Sequence, residues 1–190
     1  LPDVLQLESD IADAFGPRSS LLARVRSTLA QLYMERDDTR VALYYFRLAW
    51  LGWRESTSAG HANSLRALFN LAYTLGTTDA ATEEVDGLFW RLFDDAQEGG
   101  ELNPSILTYW RVSHIEFLTL RDACPAALGT LQRHFGERLP ARMNSSTRTL
   151  LAHVLRDADA RCGCRVDTAG PGCAALEHML AELETGQPDS

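Results

Sequence analysis

The stretch LAQLYMERDDTRVALYYFRLA, Leu29–Ala49, carries two blocks of apolar residues on either side of a polar break at Asp37-Asp38. Leu29, Leu32 and Tyr33 form one stripe, and Leu43, Phe46 and Trp50 form the next. Spacings of three and four place each stripe on one face of a helix, and paired aspartates are turn formers. The stretch therefore predicts a helix–turn–helix unit.

Outward from it, the same unit returns. Leu29-Ala30 followed by Tyr33 recurs 42 residues later as Leu71-Ala72 followed by Leu75. A further 42 residues on stands Ser113-His114 followed by Phe117, and after 38 more Leu151-Ala152 followed by Leu155. A second helix is expected after each copy, carrying small residues with a leucine or an aromatic: Ala42, Phe46 and Ala49; Gly87, Leu88 and Leu92; Ala127 and Leu131; Ala174, Ala175 and Met179. Gly, Pro and polar clusters at Gly16-Pro17, Asp37-Asp38, Ser56 to Gly60, Gly76 to Asp79, Gly99 to Pro104, Ala123 to Pro125, Leu139 to Met143 and Gly163 to Gly172 cut the chain into pieces of helical length. No segment alternates strictly between apolar and polar residues under hairpin signals, so the expected class is all-α.

The pattern Leu29-Ala30-x-x-Tyr33 with Ala42-x-x-x-Phe46-x-x-Ala49 resembles the tetratricopeptide repeat, in which small residues stand where paired helices touch. The repeat spacing of 42 exceeds the family's usual length of about 34, which implies longer helices or turns. The resemblance implies a right-handed superhelical array of about four antiparallel helix hairpins, a TPR-like α-solenoid. Residues 17–187 would form this array, 1–16 a capping helix or half repeat, and 188–190 a disordered tail. Leu1 in place of a Met suggests a trimmed start or part of a longer protein.

Composition narrows the chemistry. All 18 basic residues are arginine, so a P-loop lysine and a Schiff-base lysine are both excluded. A net charge of -8 disfavours binding to a phosphate backbone, and no nucleic-acid partner is expected. No apolar run reaches the ~18 residues of a spanning helix, so no membrane span is expected. The cytoplasm is the default compartment, with the periplasm or secretion left open by the cysteines.

Motifs for catalysis are sparse, and no enzyme activity or cofactor is expected. His114-x-Glu116 followed by Cys124 is distantly similar to a zinc deaminase signature that lacks its Pro-Cys-x-x-Cys. Glu83, Glu84, Asp86, Asp94 and Asp95 read as solvating charge around an amphipathic helix. Asn144-Ser145-Ser146 fits a glycosylation acceptor, but the cluster is also what a helix N-terminus needs for capping.

The cysteines leave three readings open. Cys162, Cys164 and Cys173 with His178 offer donors for a metal site, although their spacing is not that of a common zinc finger. Alternatively, Cys173 bonds to Cys162 or Cys164, or the thiols stay free, with Cys124 an apolar filler. This cluster defines the alternative function, a metal- or redox-responsive regulatory domain.

The leading expectation is a non-enzymatic module that binds a protein or peptide, preferably acidic, on its concave face. In helical-repeat arrays the first helices line that face, which nominates Arg24, Gln31, Arg66, Phe69, Tyr73, Arg111 and His153 as partner-binding residues. The family's carboxylate clamp of Lys and Asn is not expected, because lysine is absent. Self-association through terminal repeats is a further expectation.

Overall fold

The computed structural model describes residues 2–99, 102–136, 138–139, 143–164 and 170–185. Among these, the chain forms nine α-helices and no strand: α1 Pro2–Phe15, α2 Ser20–Met34, α3 Thr39–Ser56, α4 Ala62–Gly76, α5 Thr82–Gly99, α6 Pro104–Leu120, α7 Cys124–Phe135, α8 Ser145–Cys162 and α9 Pro171–Thr185. Each sequence break spans a junction between two helices, with its edge residues, such as Ser56, Gly76, Gly99, Pro104, Pro125 and Pro171, taken into the adjoining helices. The four repeat copies lie in α2, α4, α6 and α8, so α2/α3, α4/α5, α6/α7 and α8/α9 are the four expected hairpins.

The chain falls into two compact units, Leu1–Leu102 and Asn103–Ser190. The division falls within the Gly99 to Pro104 break. The expected tail at 188–190 lies outside the described residues.

Side chains at the ends explain why the helices start where they do. Ser19, Asp38, Asn103 and Asn144 accept hydrogen bonds from the backbone N–H groups of Leu22, Val41, Ser105 and Thr147. Each satisfies a donor that the first helical turn leaves open. Asn144 thus caps α8 as the sequence suggested.

Two of the hairpin turns share one geometry. Asp37 and Asp122 both take positive φ, 59° and 52°, a conformation Asp tolerates better than most residues. After them the N–H of Asp38 donates to the Tyr33 carbonyl and that of Ala123 to the Leu118 carbonyl, at 2.9 and 3.0 Å. These turns are 85 residues apart, whereas the Leu-Ala and Ser-His copies are 84 apart, so the third copy sits one residue out of register with its turn.

Small residues set the packing of the N-terminal unit. Ala23 and Ala30 on α2 and Ala42, Ala49 and Gly52 on α3 are all buried. A Cβ on Gly52 would stand 3.1 Å from that of Ala23, a tight contact that marks a close approach of the two helices. Trp53 and Ala67 cluster with Ala23 and Ala49, while the larger residues Leu22, Val25, Leu29, Tyr45, Phe46 and Leu71 form a second cluster with Ala30 and Ala42. At the other end of the unit Gly60 and Gly99 meet backbone to backbone, and a side chain on either would collide with the other.

Helix α1 is fastened by a polar knot. Glu8 accepts from Arg26 Nε at 2.9 Å and from the Tyr45 hydroxyl at 3.2 Å, joining α1 to α2 and α3. Tyr33 stacks on Tyr45 with ring centroids 5.6 Å apart. Burial, followed by the Glu8 charge, pushes the Tyr45 phenol up to about 12.

In the C-terminal unit α6 packs on α7 and α8, and α9 packs on α7 and α8. Val112, Ile115, Leu131, Leu151, Val154, Leu155, Leu176 and Met179 form the core between them. Like α4, helix α6 is buried over about half its residues, and here the buried set includes Thr108, Ser113, His114 and Thr119. Two disulfides, Cys124–Cys162 and Cys164–Cys173, reinforce the unit. The second is one of the pairings left open by the sequence; the first corrects the reading of Cys124 as a filler.

Leu29 has no solvent exposure, so Leu29→Ala should cost about 2–5 kcal/mol through lost transfer energy and a residual cavity. The exposed Gln31→Ala should stay within about 0.5 kcal/mol, with urea unfolding reading both. Tyr45 gives a pH test. Its folded pKa lies above the unfolded value, so its contribution is complete below about pH 10 and lost as pH rises toward about 12. Tyr45→Phe should flatten that alkaline loss in melts followed by circular dichroism.

Candidate functional site

Helix α3 places Arg40, Leu43, Tyr44 and Arg47 on one stripe, at the i, i+3, i+4 and i+7 spacing that shares a helix face. Together with Thr39 and with Leu71, Leu75 and Thr78 from α4 and the turn after it, they line an open groove of about 590 Å3. Leu71 is buried and Leu43 and Leu75 are half-buried, forming an apolar floor. Tyr44 is 59% exposed, an unusual position for a large aromatic. Tyr45 holds it edge-on with centroids 5.3 Å apart, and Tyr45 is itself fixed by Glu8.

Arg40 and Arg47 are both exposed and make no ion pair with a described residue. Seven residues at 1.5 Å rise separate them by about 10 Å along the helix. No acidic side chain stands among the groove's lining residues. The groove is therefore a basic rim around an apolar floor, within a protein of net charge -8.

None of the seven residues nominated from the sequence lines this groove. Arg24 and Gln31 lie exposed on α2, and Arg66 lies exposed on α4. Phe69 is only 7% exposed; it meets Phe89 edge-on and stacks on Tyr73, whose ring is 45% exposed. A one-position offset from the stripe is smaller than the width of a helix's buried face, which is why Phe69 turns inward. Arg111 and His153 belong to the C-terminal unit.

That unit holds two polar clusters. Arg111 is half-buried, its Nε has no hydrogen-bond partner, and burial lowers its pKa. His114 is fully buried, with its ring 5.8 Å from that of His134. Burial, then the neighbouring His114, Arg111 and Arg133, push His134 down to about 3. His153 stands exposed on α8, 3.4 Å from Asp157. Burial raises the pKa of Glu116 on α6, while the His153 charge opposes the rise.

The cysteine readings resolve differently. All four sulfurs are in disulfides, so Cys162, Cys164 and Cys173 have no thiolate to offer a metal while those bonds stand. His178 faces Glu182 at 3.7 Å. Among the described residues no group of three potential ligands converges. Asp95 departs from the solvating role expected of it: it is 9% exposed, burial raises its pKa, and Arg91 lies 3.8 Å away. Arg91 and Arg54 both lie over the Trp50 ring, at 5.4 and 6.0 Å.

The signal that could have found the groove is the α3 stripe itself, in which two arginines flank a Leu-Tyr pair on a helix already predicted. The signal for His114 is a break in the repeat, since its position holds Leu29 or Ala30 in the first hairpin under either register. No family model matches the chain, and no curated protein matches it.

His134 generates a prediction at acid pH. Its folded pKa lies below the unfolded value of about 6.5, so the neutral ring's contribution is complete above that pH. The contribution is lost as pH falls toward about 3. His134→Gln should narrow the stability difference between pH 7 and pH 4, measured by urea unfolding.

Proposed function

We propose that the protein is a non-enzymatic interaction module, built of TPR-like helical hairpins, that binds an acidic amphipathic segment of another protein. The observation that carries this reading is the α3–α4 groove, in which Arg40 and Arg47 flank Leu43 and the exposed Tyr44 above a leucine floor. Four hairpins whose repeat copies all fall on first helices support the TPR-like part of the reading, and with it a superhelical stacking of those hairpins.

Charge and spacing specify the segment. An α-helical ligand with acids seven residues apart presents them about 10 Å apart, matching the arginine separation. Apolar residues three and four positions after the first acid then fall on the same face, against Leu43 and Tyr44. Tyr44 supplies rigid apolar area at low entropic cost, as aromatic anchors at interfaces do. The arginines act within a Debye length of about 8 Å, so their local field governs encounter despite the protein's net negative charge. Disulfides persist in oxidising compartments, which favours such a compartment over the cytoplasm for this reading.

The test uses a labelled helical peptide with glutamates at positions 1 and 8, leucine at 4 and phenylalanine at 5, followed by fluorescence anisotropy. Arg40→Glu with Arg47→Glu should weaken binding by about tenfold or more, since exposed pairs are lost and repulsions replace them. Arg24→Glu with Arg66→Glu should have little effect. Equal weakening by both pairs, or by neither, would refute the groove as the binding site.

A further inference from the structure

Helix α1 carries a stripe complementary to the one in the groove. Asp3, Gln6, Leu7 and Asp10 repeat the i, i+3, i+4 and i+7 spacing of Arg40, Leu43, Tyr44 and Arg47, with an aspartate wherever α3 has an arginine. All four are exposed. Seven residues set the two aspartates about 10 Å apart, the separation of the two arginines. Asp10 accepts a hydrogen bond from Gln6 Nε2 at 2.9 Å, and neither aspartate makes an ion pair with a described residue.

The acids of α1 have no basic residue among them. Glu8 is taken up by Arg26 and Tyr45, which leaves Asp3, Asp10 and Asp13 in solvent. Three large apolar residues of this helix are exposed as well: Leu5 at 38%, Leu7 at 46% and Phe15 at 66%. The same spacing of acids recurs elsewhere without these features. Asp79 and Asp86 enclose Thr82 and Glu83, with no apolar residue at either position. Between Glu177 and Glu184 stands Leu180, which is packed against the C-terminal core.

We propose that the acidic segment taken by the α3–α4 groove is α1 of a second copy of this chain. Asp3 and Asp10 pair with Arg40 and Arg47 across the interface, and Leu7 lies against Leu43 and Tyr44. This inference rests on the groove reading above and names its occupant. The contact is between molecules, because no residue of α1 lines the groove of its own chain. The bonds from Glu8 to α2 and α3 hold α1 in place as a formed helix, so docking has little left to order. Gln6 is polar where an apolar residue would pack more closely, and exposed ion pairs contribute little each, which sets the self-affinity at about 10 μM or weaker.

The test is sedimentation velocity of the full chain from about 5 to 500 μM, a range that brackets this affinity. The weight-average mass should rise above that of the monomer, and less so at high salt, where exposed charges are screened. Asp3→Arg with Asp10→Arg, and separately Arg40→Glu with Arg47→Glu, should each move the rise to about tenfold higher concentration or beyond. An equimolar mixture of these two variants should associate again, since each offers the other a surface of opposite charge, and misfolded variants would not recover in this way. Asp3→Asn with Asp10→Asn, which removes charge without reversing it, should give a smaller loss and decides the matter if a charge reversal disturbs the circular dichroism. A chain that stays monomeric throughout, association indifferent to either pair, or a mixture that fails to recover would overturn the proposal. The labelled glutamate peptide separates this inference from the reading beneath it. Peptide binding that depends on Arg40 and Arg47 in a chain that never self-associates removes the second copy and leaves the groove. Peptide binding and self-association both indifferent to Arg40 and Arg47 remove the groove itself.

Discussion

Close contact between helices through alanine and glycine is the constraint on which the N-terminal unit depends. With Ala23, Ala30, Ala42, Ala49 and Gly52 buried along the α2–α3 crossing, the two helix backbones approach closely and the large residues are displaced to either side. A hairpin built this way covers only part of its own apolar surface, so it must be joined by neighbours. Here α1 and α4 supply them: Ile11 from one and Leu71 from the other enter the same core. The Glu8 knot then fixes α1 at a position where apolar packing alone would allow sliding.

The C-terminal unit solves the problem with different means. Its helix α6 takes polar groups inside, including His114 at a position that is apolar in the first hairpin. Keeping His134 neutral beside Arg111 disfavours the protonated ring, and the two disulfides add restraint to a unit of only four described helices. One unit thus exposes a groove on a densely packed scaffold, while the other ties its helix ends with disulfides.

Helices were the most legible feature because apolar spacing and Gly/Pro punctuation are local signals, and both persist through every copy of the repeat. Register was less legible: the turns at Asp37 and Asp122 are one residue further apart than the Leu-Ala pattern, and on α4 a one-position offset from the stripe stays within the buried face, which takes in Phe69. The groove was missed because the first helices were taken as the binding wall, whereas the exposed arginine–tyrosine stripe is on the second helix α3. Pairing of Cys124 with Cys162 joins residues 38 apart and depends on how α7 meets α8, which no local pattern encodes. Asp95 was read as solvent-facing, since a carboxylate at the edge of a helical stripe looks the same whether or not it is buried beside Arg91.

The sequence repeat marks four helix pairs, α2/α3, α4/α5, α6/α7 and α8/α9, with each copy on the first helix of its pair. Hydrogen–deuterium exchange of the full chain, resolved to short peptides, tests it most directly because protection follows buried, hydrogen-bonded backbone. Slow exchange is expected in the helical turns around Leu29-Ala30, Leu71-Ala72, His114-Ile115 and Leu151, separated by fast exchange at Ser56 to Gly60 and Gly76 to Asp79. Protection running unbroken through those breaks, or absent from the first helices while present in the second, would contradict it.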